Sequence, residues 1–276
     1  MEKIIVPIDF SDCSENALFI ASLVAKKIDA SIHLIHTLNM GDSILLDEED
    51  DAKKVAPYVK ALENKFEDYI EEKDFLKGLE ISYRVRQRPI HLQINDSIDE
   101  VGADLIVMGS HGASGFQEVF VGSNTQKVVR NAKVPVIVIK NKMENFDIDE
   151  VVYACDFEDY SVAPYVKAKA FFNKLNINMN LIYVNKPTSF KSTAKIKQQI
   201  KDFFGKVYAS TNDYPSVEIY SDHSVEDAVM AYCSEIGAKF IGLPTRGRKR
   251  LSTIFAGSNA EGIVNHSDYA VVTFKI

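Results

Sequence analysis

Cysteine is scarce in this sequence, and its pattern indicates no cysteine chemistry. The 276 residues include three cysteines, Cys13, Cys155 and Cys233, an odd number without the spacing of metal ligands. Such residues are typical of reduced, buried thiols in a cytosolic protein. We therefore expect no metal site built on them.

Long apolar runs and an excess of basic charge are also missing. No stretch approaches the roughly 18 apolar residues of a membrane span. The start, MEKIIVPIDF, lacks the features of a signal peptide and predicts a first strand. The net charge of −7 argues against a general nucleic-acid binder, which normally carries a basic stripe. We expect a cytoplasmic protein that binds neither membrane nor nucleic acid.

What the sequence does contain is an internal repeat. IIVPIDFSDCS (4–14) resembles VVYACDFEDYS (151–161), which aligns Asp9 with Asp156. VFVGSNTQKVV (119–129) resembles IFAGSNAEGIV (254–264), at an offset twelve residues smaller. Two copies of one unit explain this pattern, and the repeat predicts domains at 1–141 and 147–276 joined by a short polar linker. The extra chain of the first copy is expected as a loop at 39–54.

Each copy alternates apolar runs of strand length with helical periodicity. Five strands per copy are predicted, the first over 3–8 and the second over 31–38, with Ser11 or Asp12 capping the helix between them. Continuous apolar strands separated by helices indicate a parallel sheet covered on both faces. The fold class is therefore α/β, with two tandem doubly wound five-stranded domains of Rossmann-like type. Ligands of such sheets bind at the carboxyl ends of the strands.

A glycine-rich stretch, VMGSHGASGFQEVFVGSN (107–124), follows one predicted strand and opens a helix. Its backbone N–H groups and the helix dipole together favour a phosphate, and hydroxyls can add donors. The stretch is neither a Rossmann fingerprint nor a Walker loop, since no GK[ST] is present. The alternative is a loose turn that happens to precede a helix. The hydroxyl candidates are Ser110, Ser114, Ser123 and Thr125.

The glycine spacing Gly109-x2-Gly112-x9-Gly122-Ser123 resembles the nucleotide motif of the universal stress protein family. Asp9 after the first strand and LIHTL at the end of the second strengthen the resemblance, which covers essentially the whole chain as two tandem domains. It implies an adenine nucleotide alpha hydrolase-like sheet and dimerisation. Some members of the family bind ATP and others do not.

The resemblance assigns roles in the first copy. Ile8 and Asp9 would lie at the nucleoside, and Thr37 at the adenine edge. ATP or a related adenine nucleotide, with Mg²⁺, would place its ribose and phosphates on Gly109, Ser110, His111, Gly112, Gly122, Ser123 and Asn124. The alternative for Asp9 is a local Asx-turn or helix cap, and for His111 a solvated loop histidine. Arg88 departs from the family pattern, which often has glycine there.

The second copy is predicted to bind nucleotide weakly or not at all. Pro244 replaces the first glycine of the motif, and proline has no N–H to donate. The loop after it carries four cations, Arg246, Arg248, Lys249 and Arg250. With Gly257 and Ser258 they form a candidate anion site, although a charge run more often forms a solvated surface.

The last strands of the two copies, VPVIVI (core 135–139) and YAVVTF (269–274), are apolar and β-branched. Unpaired, such edges promote aggregation. Because family members dimerise through their last strands, we expect the copies to pack as an intrachain pseudo-dimer. The sequence leaves open whether two such chains associate further into a homodimer.

Enzymatic residues are not evident. The sequence has no Walker-type lysine and no recognisable pair of metal carboxylates, and the acidic run 46–51 is expected to be a solvated, mobile loop. We therefore expect a cytoplasmic nucleotide-binding stress or regulatory protein, with at most slow ATP hydrolysis. The alternatives are a nucleotide-free interaction protein of the same fold and a slow ATPase or adenylate-transferring enzyme.

Overall fold

A computed structural model describes residues 2–38, 48–86, 89–111, 122–143, 148–245, 263, 267 and 269–275. Ten strands form one sheet. The strands of the first half are β1 to β5, at Lys3–Pro7, Ser31–Thr37, Ile81–Arg86, Leu105–Gly109 and Val136–Ile139. Those of the second half are β6 to β10, at Glu150–Ala154, Asn178–Asn185, Val217–Ser221, Phe240–Thr245 and Ala270–Lys275.

Seven α-helices lie in the described parts of the chain. In the first half α1 to α4 cover Asp12–Ile28, Glu48–Glu71, Ile90–Val101 and Ser123–Asn131. In the second half α5 to α7 cover Val162–Lys174, Thr193–Phe204 and Val225–Ile236. Within these described segments, no helix combines the length and apolarity needed to cross a membrane.

The strand order is the same in both halves. It runs β3-β2-β1-β4-β5 in the first and β8-β7-β6-β9-β10 in the second, and all pairs within a half are parallel. The predicted α/β class and the five strands per copy are confirmed. The order reverses between β1 and β4, so the crevice of the first half lies at their carboxyl ends. The exact domain limits stay a prediction, because 144–147 lie outside the described residues.

The two halves meet through their last strands. β5 and β10 pair antiparallel, with Ile137 opposite Val272 and Val138 opposite Val271. At the repeat offset that aligns Gly122 with Gly257, Ile137 and Val272 are equivalent positions. The halves are therefore related by an approximate twofold axis through this pair, and each half covers the last strand of the other.

Two lysines make reciprocal contacts across this junction. The Nζ of Lys140, just after β5, donates to the carbonyls of Ile263 and Ser267 in the second half. The Nζ of Lys275, at the end of β10, donates to Asn131 O at 3.0 Å at the end of α4. Ammonium groups stabilise the free carbonyls at helix C-termini. Lys140 and Lys275 occupy equivalent positions of the repeat. Each half is therefore bound by a lysine of the other half.

Helix α1 begins as its sequence predicts. Ser11 is the N-cap and its side chain accepts from Ser14 N. The acidic residues Asp12 and Glu15 lie in the first turn, where the helix dipole favours negative charge. The helix ends at Asp29 in a left-handed conformation with φ 54°.

Helix α2 corrects the expectation for the acidic run. Residues 48–51 were expected in a mobile loop, but they belong to the first turn of α2. The extra chain of the first copy therefore largely lengthens a helix: α2 has 24 residues and its counterpart α6 has 12.

Candidate functional site

The carboxyl ends of β1, β2 and β4 form the candidate site. Ile8 and Asp9 follow β1, Thr37 ends β2, and Gly109 ends β4. Because β1 pairs with both β2 and β4, these strand ends are neighbours. The topology thus brings predicted residues from three separate segments to the switch point of the sheet.

Asp9 anchors a local turn at the start of α1. Its Oδ1 accepts from Ser11 N at 3.1 Å and from Ser11 Oγ at 2.5 Å. The first of these contacts closes an Asx-turn, the alternative that the sequence allows for this residue. Asp9 therefore has a structural role, and one carboxylate oxygen is used in it.

Ile8 lies between backbone and side-chain partners. Its N–H donates to Ile35 O at 2.8 Å, and its carbonyl accepts from His36 Nδ1 at 2.7 Å. Since a carbonyl only accepts, Nδ1 of His36 carries the proton. His36 is not among the site residues predicted from the sequence, although it lies in the LIHTL element that carries the resemblance.

Phe10 forms an aromatic wall beside Asp9. Its backbone has φ 63°, a region that non-glycine residues seldom adopt, and its repeat partner Phe157 has φ 53°. The Phe10 ring lies 5.2 Å from both His36 and Phe66, and Lys65 Nζ lies 3.8 Å from its centroid. The repeated Asp-Phe pair in both copies was the sequence feature that could have predicted this wall.

Gly109 is required by helix packing. A Cβ at this position would lie 2.7 Å from Cys13 Sγ and 2.9 Å from Cys13 O, so only glycine lets α1 approach β4 this closely. Thr125 Oγ1 donates to Gly109 O at 2.9 Å and ties the start of α4 to the same strand. The hydroxyl of Thr125 is buried in this contact, so it serves packing and not ligand binding.

Ser110 orients His111. Ser110 is completely buried, its N–H donates to Ile139 O at 2.9 Å, and its Oγ lies 2.8 Å from His111 Nδ1. The Nε2 of His111 is buried and has no hydrogen-bond partner among the described residues. When the Ser110 hydroxyl donates to Nδ1, Nε2 carries the proton and is a donor.

The start of α4 can accept an anion. Gly122 is its N-cap, none of the described side chains caps it, and Ser123 and Asn124 are exposed. Gly122 N donates to Ser110 O at 2.7 Å, which fixes the helix start against the end of β4. N–H groups of an uncapped first turn, together with the dipole, favour a negative group. Asn124 Oδ1 lies 3.0 Å from His91 Nδ1 on α3.

Several predicted residues lie outside the described part of the chain. In the first copy these are Gly112, Ser114 and Arg88. The candidate anion site of the second copy is also outside it, with Arg246, Arg248, Lys249, Arg250, Gly257 and Ser258. Within the described residues no cluster of three histidines, cysteines or carboxylates has the geometry of a metal site.

At the equivalent edge of the second half, the turn at Asp156 is more enclosed than the turn at Asp9. Asp156 repeats the local turn, accepting from Ser161 Oγ at 2.8 Å and Glu158 N at 3.2 Å. Its carbonyl, however, accepts from Gln199 Nε2 of α6 at 2.6 Å. Pro244 lies within β9, opposite Phe274 of β10, and offers no N–H at this edge.

Comparison with known proteins adds to this geometry. Universal stress protein YxiE of Bacillus subtilis is 30% identical over 146 residues, which cover 50% of this chain and 98% of that protein. A universal stress protein of Methanocaldococcus jannaschii is 28% identical over 155 residues, covering 51% and 96%. A solved universal stress protein from Archaeoglobus fulgidus matches 99% of this chain and 98% of its own, with TM-score 0.71 and 22% identity.

The structural likeness shows that both halves share the fold of that neighbour. The family model described as the universal stress protein family matches residues 1–140, the half that carries the candidate site. This chain belongs to the universal stress protein family.

Proposed function

We propose that the first half binds ATP or a related adenine nucleotide and that the protein has a regulatory role in a stress response in the cytoplasm. The observation that carries the proposal is the exposed start of α4 beside the end of β4, which none of the described side chains caps. A phosphate suits the helix start, and the Asp-Phe turn lies across the switch point. Membership of the family supports the same ligand class.

The described residues suggest how the ligand would be held. N–H groups of Ser123 and Asn124 would donate to a phosphate, and His111 Nε2 would add a donor oriented by Ser110. Asp9 would accept a ribose hydroxyl, and backbone at Thr37 would border the adenine. Bound Mg²⁺ would offset phosphate charge. Binding would stabilise one conformation or partner surface, because a ligand shifts an equilibrium by its differential affinity.

The second half would contribute little binding. Gln199 occupies the Asp156 carbonyl, and Pro244 has no N–H. We therefore expect about one equivalent of nucleotide per chain.

Calorimetry with ATP and Mg²⁺ tests the proposal with matched variants. Asp9→Asn keeps an oxygen that can accept from Ser11 but removes the charge, and we expect affinity to fall about tenfold, as for loss of a charged hydrogen bond. Asp156→Asn is the same change in the second half and should leave binding unaltered. No binding by the wild type would refute the proposal, and equal losses in both variants would refute the assignment to the first half.

Gly122→Val tests the phosphate end separately. A Cβ at Gly122 would lie 3.3 Å from Ser110 O, and the larger side chain would cover the helix start. We expect loss of ATP binding with retention of the far-ultraviolet dichroism spectrum. Phosphate release followed in the same samples should be slow, since the sequence has no Walker-type lysine.

A further inference from the structure

A groove lies at the carboxyl edge of the second half, away from the site proposed for nucleotide. Its volume is about 590 Å³, within the range of small-molecule sites. One wall is formed by the chain directly after β7, and the other by the chain directly after β8. The lining residues are Asn185, Pro187, Phe190, Ser221, Asp222 and His223.

The first wall presents an aromatic face on an ordered turn. Phe190 is 71% exposed, a high value for a large apolar side chain. The next residue, Lys191, is held on both sides of its backbone by Asn185, whose Nδ2 donates to Lys191 O and whose Oδ1 accepts from Lys191 N, each at 3.0 Å. Lys191 Nζ also donates to Gln199 Oε1 at 2.6 Å. These bonds fix the backbone directly after Phe190 at the groove.

The second wall is acidic. Asp222 Oδ1 accepts from His223 N at 2.6 Å within the loop. The first turn of α7, directly after this loop, contains Glu226 and Asp227 outside the lining of the groove. The N–H of Asp227 is satisfied by the N-cap Ser224 at 2.9 Å, so this helix start is not a vacant anion site. Asp222 is the one acidic side chain among the lining residues, and its carboxylate favours a cation at this wall, while the ammonium of Lys191 on the other wall is paired with Glu158.

We propose that this groove binds a guanidinium group. A guanidinium is planar and cationic, stacks on an aromatic ring and donates in parallel to a carboxylate. Phe190 supplies the ring and Asp222 the carboxylate, while Ser221 and His223 add polar atoms at the mouth. In the first half the position equivalent to Ser221 is Arg86, at the end of β3, and Arg84 lies two residues before it. The site does not depend on nucleotide binding in the first half.

The guanidinium could come from a free arginine-type metabolite or from an arginine side chain of a peptide. Agmatine and an acetylated arginine dipeptide amide serve as the two probes, titrated into isotope-labelled full-length protein and followed by amide chemical shifts. We expect shifts at Phe190, Asp222 and His223. Similar affinities indicate recognition of the guanidinium alone, and tighter binding of the dipeptide indicates a peptide source. n-Butylammonium, which has the charge without the planar fork, should bind at least about fivefold more weakly.

Matched variants separate this site from general electrostatics. Asp222→Asn should weaken agmatine at least about tenfold, whereas Glu235→Gln, which removes the same charge from an exposed position of α7, should not. Phe190→Ala should weaken it about threefold, and Leu92→Ala, which truncates an exposed side chain of α3, should have no effect. The proposal is overturned if agmatine causes no shifts in the wild type, if butylammonium binds equally, or if Asp222→Asn binds like the wild type.

Discussion

The two halves share one strand order but fill their cores differently. In the second half Gly242 of β9 pairs with Tyr153 of β6, and a Cβ on Gly242 would lie 2.8 Å from the Tyr153 ring. The equivalent positions in the first half are Val107 and Val6, two side chains of equal size, both fully buried. One half thus fills this space with a large and an absent side chain, and the other half fills it with two side chains of medium size. Both solutions are possible because a core has to keep its packing density and not the identity of its side chains.

The difference extends beyond this pair. Among the described residues, fully buried aromatic side chains are concentrated in the second half, whereas the first half buries mainly aliphatic ones around Phe66. The aromatic residues of the second half are Tyr153, Phe157, Tyr165, Phe172, Phe203, Phe204, Phe240 and Phe274. The half with the accessible helix start has the smaller side chains, and the half with the enclosed edge has the larger ones. A common topology therefore does not imply a common site.

The largest expected loss of stability comes from disrupting the packing of Tyr153 against Gly242. Gly242→Val would overpack the second half against Tyr153 and Phe172, and we expect unfolding free energy to fall by about 3 kcal/mol. Tyr153→Val would leave a cavity with a loss of similar size, about 3 kcal/mol. The double variant restores the arrangement of the first half and should recover at least half of the summed loss in urea denaturation. Additive losses would contradict compensation between the two positions.

A smaller effect concerns acid stability of the first half. Burial, and then the nearby charges of Arg84 and Lys3, lower the pKa of His33 to about 4. Between pH 6.5 and 4 the unfolded chain binds more protons than the folded one, so stability falls as pH drops through this window and His33 has no such effect above it. We expect a loss of about 2 kcal/mol, below the full value of the shift because the charge of half-exposed Arg84 is screened.

His33→Asn introduces the residue that the second half has at its equivalent, Asn180. This change should flatten the dependence of unfolding free energy on pH between 6.5 and 4. His223→Asn, which alters an exposed histidine of the second half, is the control and should leave the slope unchanged. If the slope of unfolding free energy against pH is unaltered in His33→Asn, groups other than His33 cause the loss of stability in acid.

The reciprocal lysines should contribute less again. Lys140→Met and Lys275→Met each remove charged hydrogen bonds to carbonyls of the opposite half, and we expect about 1 kcal/mol from each. Lys142→Met, at an exposed position, should change nothing. If denaturation shows a lower unfolding free energy in only one of the two variants, the two equivalent contacts do not contribute equally to stability.

The last prediction concerns reactivity and not stability. It compares the labelling rates of the three free thiols. Cys155 and Cys233 are buried, and burial raises the pKa of both, that of Cys233 to about 12. Cys13 in the first half is half-buried. A disulfide reagent should therefore label Cys13 at least about a hundredfold faster than the other two, because burial limits both the access and the thiolate fraction of Cys155 and Cys233. Equal labelling rates, identified by peptide mass mapping, would contradict the difference.

The sequence predicted the features that depend on local pattern. Apolar runs gave the strands, Ser11 gave the start of α1, and the repeat gave the shared strand order. Features that depend on distant contacts were out of reach: the His36 bond to Ile8, the packing of Gly109 on Cys13, and the enclosure of Asp156 by Gln199. The length of α2 was also missed, since an acidic run suits both a solvated loop and a helix start.

The antiparallel pairing of β5 with β10 has a consequence for how the two sites can differ. In an assembly of two identical chains, a substitution appears twice, and both sites change together. Here the partner surfaces are encoded separately, so one edge can lose a glycine or gain a cationic loop while the other stays as it was. The pairing is also unimolecular, and its strength does not vary with protein concentration. Dilution that would separate a dimer leaves this pair of halves together.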